Sequence, residues 1–172
     1  MVKKRFIVAA LLMFAITPFT IFADQFNFGV GLVTESGEPH YDIGRFPIYL
    51  GYESEELWRF SFTNTSFEHE NNLANDLEAN TLSVERIWVY KIKEGFSLTG
   101  GFGPGYFVAK HNNSEGFGSA FGIVASGTLR FTINDKFFLD GTLHYKNAAV
   151  KINDGNVNAG YTGLMVGIGF FF

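Results

Sequence analysis

The residues best suited to chemistry lie near the C-terminus, in the run His144-Tyr145-Lys146-Asn147-Ala148-Ala149 and in the following Asn153-Asp154-Gly155. A histidine can act as a general base, and an asparagine amide can stabilise an oxyanion. Acyl transfer would also need a hydroxyl nucleophile and a carboxylate that orients the imidazole. Thr142 offers a hydroxyl, and Asp140 or Asp154 offers a carboxylate. The residue types alone do not specify a reaction, and the assignment to ester hydrolysis comes from a resemblance.

This stretch resembles the signature of the PagL-type lipid A deacylases, in which His-x-Ser-Asn-Ala-Gly is followed by Asn-x-Gly and then by a Glu. The resemblance implies that His144 is the general base and that Asn147 is an oxyanion donor. Lys146 occupies the position of the nucleophilic serine, and the region of the glutamate contains Asn156, Val157 and Asn158. The resemblance implies a scaffold for hydrolysis of the 3-O-acyl ester of lipid A, with outer-membrane lipid as the partner. Two positions of the family's catalytic triad, the serine and the glutamate, are not matched in this sequence.

Two positions for His144 remain open on the sequence alone. Strict alternation places it inside a barrel with Asp140, Thr142 and Lys146, where it could hydrogen-bond to Asp140 or Glu85. A bulge at Gly141 would instead turn it to the outer wall, where the family has its active groups. Lys146 and Lys151 could equally be interfacial lysines that meet anionic headgroups.

The elements that carry these residues alternate apolar with small or polar residues at a period of two, which is typical of strands. Phe26, Phe28, Val30 and Leu32 form the apolar face of the first segment. Eight such segments are predicted: Gln25–Thr34, Gly44–Tyr52, Trp58–Thr63, Thr81–Ile92, Phe96–Ala109, Phe117–Phe131, Phe137–Lys146 and Leu164–Phe172. Long connections over 64–80, 110–116 and 147–160 alternate with short turns, including the acidic turn at Glu53–Glu56. The pattern predicts an eight-stranded antiparallel up-and-down transmembrane β-barrel.

The alternation alone also fits a soluble eight-stranded barrel such as a lipocalin. Three features favour the bacterial outer membrane: Gly, Ala and Ser recur on the face where a soluble barrel needs Lys and Glu, aromatic residues cluster at segment ends, and the chain stops on Phe172. The terminal Phe resembles the assembly signal of bacterial outer-membrane proteins. Charged residues make up 17% of the chain, with 20 Gly and 21 Phe, which is not the composition of an ordinary soluble domain.

The N-terminus reads as a secretory signal peptide over Met1–Ala23, with basic residues, an apolar stretch and Pro18 before the cleavage site. The remaining residues 24–172 are predicted to form one barrel domain. The net charge of −4 argues against nucleic-acid binding, and the absence of Cys excludes disulfides and thiolate sites. No cofactor is expected.

Eight strands leave no pore, so four charged residues predicted to face inward are expected to form internal pairs, which disfavours porin function. They are Arg59, Glu85, Arg130 and Asp140. In the connection 64–80, His69 is flanked by Glu68 and Glu70, with Asp76 and Glu78 beyond. These carboxylates could hold a divalent cation, although solvated charge is the preferred interpretation. The run Gly100-Gly101-Phe102-Gly103-Pro104-Gly105 predicts a kinked or bulged strand.

Overall fold

The computed structural model describes residues 24–36, 41–69, 76–111, 116–153 and 155–172, and the signal-peptide prediction lies outside these ranges. Within them the chain forms ten strands, eight of which close into an antiparallel barrel. No helix in the described ranges is long and apolar enough to cross a membrane. The barrel strands are β1 (Gln25–Ser36), β2 (Tyr41–Glu53), β3 (Trp58–His69), β4 (Leu77–Lys93), β5 (Phe96–His111), β6 (Phe117–Thr132), β7 (Phe137–Asn147) and β10 (Tyr161–Phe171). The other two, β8 (Ala149–Ile152) and β9 (Gly155–Asn158), form a separate hairpin.

Each barrel strand pairs with the barrel strands before and after it in the chain, and β10 closes the cylinder against β1. The closing register runs from Gln25 opposite Phe171 to Ser36 opposite Tyr161, with an irregularity between Val33 and Glu35. Closure pairs the strand edges that an open sheet would leave free, and hydrocarbon offers such edges no partner. The predicted eight-stranded up-and-down barrel is confirmed.

The two faces of the wall have the chemistry that the alternation predicts. In β7, the outer surface exposes Leu139, Leu143 and Tyr145. The alternate residues Thr142, His144 and Lys146 point inward and are buried. The same arrangement around the barrel exposes a continuous belt of large apolar side chains, which includes Phe28, Val30, Leu32, Phe60, Leu82, Phe102, Phe121, Leu129, Val166 and Ile168. An apolar belt around a closed barrel is the surface that a lipid bilayer requires.

One end of the barrel carries the short turns and both ends of the described chain. Gly95 completes the β4–β5 turn with a φ of 74°, and the side chain of Asn134 accepts hydrogen bonds from the amides of Lys136 (2.8 Å) and Phe137 (2.9 Å) in the β6–β7 turn. The amide of Phe172 donates to the carbonyl of Asp24 at 3.0 Å. Since short turns lie on the periplasmic side of such barrels, the opposite end faces outward.

At the outer end the strands run further than the sequence predicts. The segment 64–80 is not one long loop, because β3 continues to His69 and β4 begins at Leu77. A side-chain ladder supports this extension: Asn64 donates to Asn80 at 2.9 Å and to Glu78 at 3.2 Å across the β3–β4 pair. The predicted loop 147–160 is also wrong in part, since it contains the β8–β9 hairpin.

The glycine-rich run in β5 was predicted to be kinked or bulged, and the bulge is not found. Strand β5 pairs with β6 without a register shift from Phe96 to Lys110, so the structure contains no bulge at this described run. Gly101, Gly103 and Gly105 instead face the crowded interior. A Cβ at Gly101 would meet Ser126 and Glu85, and one at Gly103 would collide with the backbone of β4. Glycine is required there by space.

Candidate functional site

Strand β7 places His144 inside the barrel. Its register with β6 and β10 is continuous through Gly141, so the bulge that would turn His144 outward is absent from this described strand. His144 is 0% exposed, and its ring lies 5.2 Å from the ring of Tyr49 on the opposite part of the wall. Neither ring nitrogen has a hydrogen-bond partner among the described residues. The alternative in which His144 bonds to Asp140 or Glu85 is therefore not found.

Lys146, which occupies the position of the family's serine, is also a residue of the interior. Its ammonium donates to Oγ1 of Thr63 at 2.5 Å and lies 5.4 Å from the ring centre of Tyr161. The side chain is 2% exposed, so the interpretation as an interfacial lysine is wrong for Lys146. Lys151, by contrast, is exposed on the hairpin.

Asn147 points to the opposite side of the wall. It is exposed, and its amide donates to the hydroxyl of Tyr145 at 3.0 Å on the outer surface. The structure therefore does not bring together His144 and Asn147, the general base and oxyanion donor implied by the resemblance. The substitute groups are engaged as well: Thr142 shares a 3.0 Å hydrogen bond with Thr128, and Asp140 pairs with Arg130.

The remaining motif residues build the β8–β9 hairpin. Asn153 adopts a φ of 52° in its turn, and Asp154 lies outside the described residues. Asn156 and Val157 are β9 residues that pair with Lys151 and Val150, and the side chain of Asn158 accepts a bond from the amide of Gly160 at 2.9 Å. Asn153 and Gly155 thus have a structural explanation at the junction of β8 and β9, where Gly155 pairs with Ile152.

The hairpin closes the outer half of the barrel with apolar side chains. Val150 and Ile152 point inward at 0% and 3% exposure, while Ala149 and Lys151 face away. The buried cluster that they complete comprises Phe67, Leu77, Ala79, Phe107, Ala109, Val124, Ala148, Val150, Ile152, Ala159 and Tyr161. A Cβ at Gly118 would collide with the carbonyl oxygen of Lys151, so glycine lets the hairpin lie against β6. We call this cluster the apolar plug.

Below the apolar plug, charged side chains fill the interior. Arg59 contacts Glu53 at 2.6 Å and Glu85 at 3.8 Å. Arg130 pairs with Asp140 at 2.7 Å and with Glu53 at 3.1 Å. Among the described residues, these buried ion pairs contain two arginines and three carboxylates, and the ammonium of Lys146, bonded to the hydroxyl of Thr63, belongs to none of them. The predicted inward charges are confirmed as internal pairs.

Glu53 is the member of this network that the sequence interpretation missed. It was expected in the exposed acidic turn, but it ends β2 and is 1% exposed, bridging both arginines. The signal was present: Tyr49 and Gly51 face inward, and the period of two continues to residue 53. Phe138 lies below the network, with its ring centre 4.0 Å from the guanidinium carbon of Arg130. The ring of Phe138 packs on that of Phe171, with ring centres 4.9 Å apart.

Part of the acidic segment considered for a cation has other contacts, and Glu70 lies outside the described residues. Asp76 accepts a bond from the amide of His69 at 3.1 Å, and Glu78 pairs with Lys110 at 3.0 Å. Among the described residues, no group of three or more His, Asp or Glu side chains could hold a metal ion.

No protein-family model and no curated protein matches this sequence, so membership of the PagL-type family is not shown. Solved structures do match the fold. Neisserial surface protein A (NspA) is 16% identical with a TM-score of 0.63, and covers 89% of this chain and 98% of its own. OprG of Pseudomonas aeruginosa is 13% identical with a TM-score of 0.62, covering 88% and 96%. Ail, the attachment invasion locus protein of Yersinia pestis, is 20% identical with a TM-score of 0.52, covering 88% and 99%. With its closed wall and apolar belt, this chain is a bacterial outer-membrane β-barrel.

Proposed function

We propose that this chain is a non-conducting, non-catalytic barrel, structural or adhesive, that acts through what its outer surfaces bind. The observation that carries the proposal is the filled interior. Phe138 lies at the periplasmic end, the ion-pair network follows, and the apolar plug occupies the outer half. Eight strands enclose a space that side chains can fill, and among the described residues buried side chains occupy it at each of these three levels.

Hydrolysis of the 3-O-acyl ester of lipid A is the weaker interpretation. Such a reaction needs a nucleophile, a base and an oxyanion donor around one carbonyl. Here the base candidate is enclosed, the oxyanion candidate is on the lipid-facing side, and Lys146 is bonded to Thr63. A lipid ester at the outer wall would have no route to the imidazole of His144.

An adhesive role is supported by the exposed part of the hairpin. Lys151, Asn153, Gly155 and Asn156 are exposed at the outer end, where a partner outside the cell could contact them. Ail, which has a similar barrel, is by its name an attachment protein. The same architecture therefore serves binding in at least one other chain.

The test uses the refolded barrel in two membranes. In planar bilayers we expect no conductance steps above the protein-free baseline. In vesicles that contain lipid A we expect no release of fatty acid, measured by mass spectrometry, from either the wild type or His144→Ala. Fatty-acid release that disappears in His144→Ala would overturn the non-catalytic part of the proposal, and stable conductance steps would overturn the sealed interior.

A further inference from the structure

Between the ion-pair network and the outermost part of the apolar plug lies a further group of buried polar side chains, which we call the Lys146 cluster. Its members are each 2% exposed or less: Thr63, Thr65, His144, Lys146 and Tyr161. Two of them, His144 and Lys146, lie on the inward face of β7 above Asp140, which belongs to the network. Tyr161 on β10 is the register partner of Lys146. The polar atoms of this cluster are therefore shielded from bulk water.

Much of the hydrogen-bonding capacity of the Lys146 cluster is unused among the described residues. The ammonium of Lys146 has three N–H donors, and one of them is bonded to Thr63 at 2.5 Å. Both ring nitrogens of His144, the hydroxyl of Tyr161 and Oγ1 of Thr65 are buried and have no hydrogen-bond partner. Buried polar groups in folded proteins are paired with protein or with ordered water. These groups therefore need an enclosed ligand.

The hydrogen-bonding chemistry of these groups selects the ligand. A neutral imidazole has one N–H donor and one acceptor nitrogen, so its partners must include both an acceptor and a donor. A water molecule can be either, whereas a chloride ion only accepts and would leave one nitrogen of His144 unpaired.

The charges of the described buried residues support the same choice. The ion pairs contain two arginines and three carboxylates, and the ammonium of Lys146 supplies the third positive charge. An added anion would leave an uncompensated charge in the interior, which is costly away from water. A neutral ligand adds no charge.

We propose that water molecules bind within the Lys146 cluster and bridge Lys146, His144 and Tyr161. They accept from the ammonium and the imidazole N–H, and they donate to hydroxyl oxygens and to the unprotonated nitrogen; buried waters commonly make about three such bonds. These waters form no conducting path, because the plug residues Val150 and Ile152 lie above them and the ion-pair network lies below. The inference concerns the interior and does not depend on what the outer surfaces bind.

Nuclear magnetic resonance of the refolded barrel in detergent micelles, isotope-labelled at histidine, detects such water directly. The ring protons of His144, assigned by their loss in His144→Phe, should show a dipolar cross-peak to water. A spectrum in which these ring protons are observed without any contact to water would overturn the inference.

Removal of one hydroxyl tests the same waters through stability. Tyr161→Phe keeps the ring whose centre lies 5.4 Å from the ammonium of Lys146, and it should raise the unfolding equilibrium constant at least about fivefold, because one hydrogen bond to water is lost. Thr99→Val is the matched control. Oγ1 of Thr99 is also buried without a described partner, but it lies on β5, which contributes no residue to the Lys146 cluster. Its removal should leave the constant unchanged or lower it.

Three results would contradict bound water. A constant for Tyr161→Phe at or below that of the wild type would mean that the hydroxyl has no bridging partner. A loss in Tyr161→Phe with no water contact at His144 would mean that the hydroxyl bonds directly to a threonine. A loss that appears in chloride and not in sulfate at the same ionic strength would assign the site to an anion. If Tyr161→Phe does not fold, Thr65→Val removes a neighbouring hydroxyl and is expected to give the same loss.

Discussion

Replacing Arg59 by methionine should destabilise the barrel strongly, because this guanidinium neutralises carboxylates that no bulk water reaches. Arg59 is 1% exposed, bonds Glu53 and Ser126 at 2.7 Å each, and lies 3.8 Å from Glu85. Without it, Glu53 retains Arg130 and Gln25 as partners. Glu85 retains only hydroxyl groups among its described hydrogen-bond partners, so the uncompensated charge falls there.

Breaking a buried pair by removing one partner costs about 3–5 kcal/mol, and we expect Arg59→Met to lower the free energy of unfolding by that amount. Adding Glu85→Gln removes the orphaned charge. The double variant should therefore be more stable than Arg59→Met alone, by about 1–3 kcal/mol. Lys91→Met, which changes an exposed cation near the β4–β5 turn, should stay within about 0.5 kcal/mol of the wild type.

Urea unfolding of the refolded barrel in lipid vesicles, followed by the fluorescence of Trp58 and Trp88, measures these values. Heat-dependent migration in gels checks that each variant folds before unfolding is measured. A loss below about 1 kcal/mol for Arg59→Met, with no recovery from Glu85→Gln, would mean that water enters the interior and screens the charges. The account of a filled barrel would then be refuted.

Three further predictions concern the plug and the wall. Gly118→Ala should lower the free energy of unfolding by about 1–3 kcal/mol, because the added Cβ meets the backbone of the hairpin. Gly127→Ala on the same strand has open space and should stay within about 0.5 kcal/mol of the wild type. Urea unfolding midpoints compare the two variants. Phe107→Ala, at 0% exposure in the apolar plug, should cost about 3–5 kcal/mol in the same assay, and a smaller loss would indicate a loose plug. Val166→Arg places a charge in the apolar belt and should cost about 2–4 kcal/mol in vesicles; no cost would contradict its position in hydrocarbon.

The fold was predictable because one physical rule repeats along the chain. In a wall with lipid on one side, every second residue must be apolar, so Leu139, Leu143 and Tyr145 already identify β7 and its outward face. Arg59 and Asp140 could be assigned to the interior by the same count. The period of two also reaches Glu53, but the adjacent acidic residues suggested a turn and hid its role.

The motif resemblance could not show whether His144 and Asn147 meet, since the side of the wall that each residue faces depends on whether the strand is regular or bulged. His144 and Asn147 are three residues apart, an odd number, and on a regular strand they must face opposite sides. The β8–β9 hairpin could not be predicted from the sequence, because each of its two strands has four residues and is too short to show a clear alternation. Its folding onto β6 depends on Gly118, whose role is visible only when Lys151 is seen against it.

The position of Arg130 has a consequence for how the molecule assembles. This one side chain on β6 contacts Gln25 on β1, Glu53 on β2 and Asp140 on β7, and so links the beginning of the cylinder to its later strands. A partly formed sheet would leave these groups in contact with lipid or water without their partners. Closure of the barrel and pairing of the buried charges should therefore occur in a single cooperative step, and intermediates with a partly closed barrel should be scarcely populated.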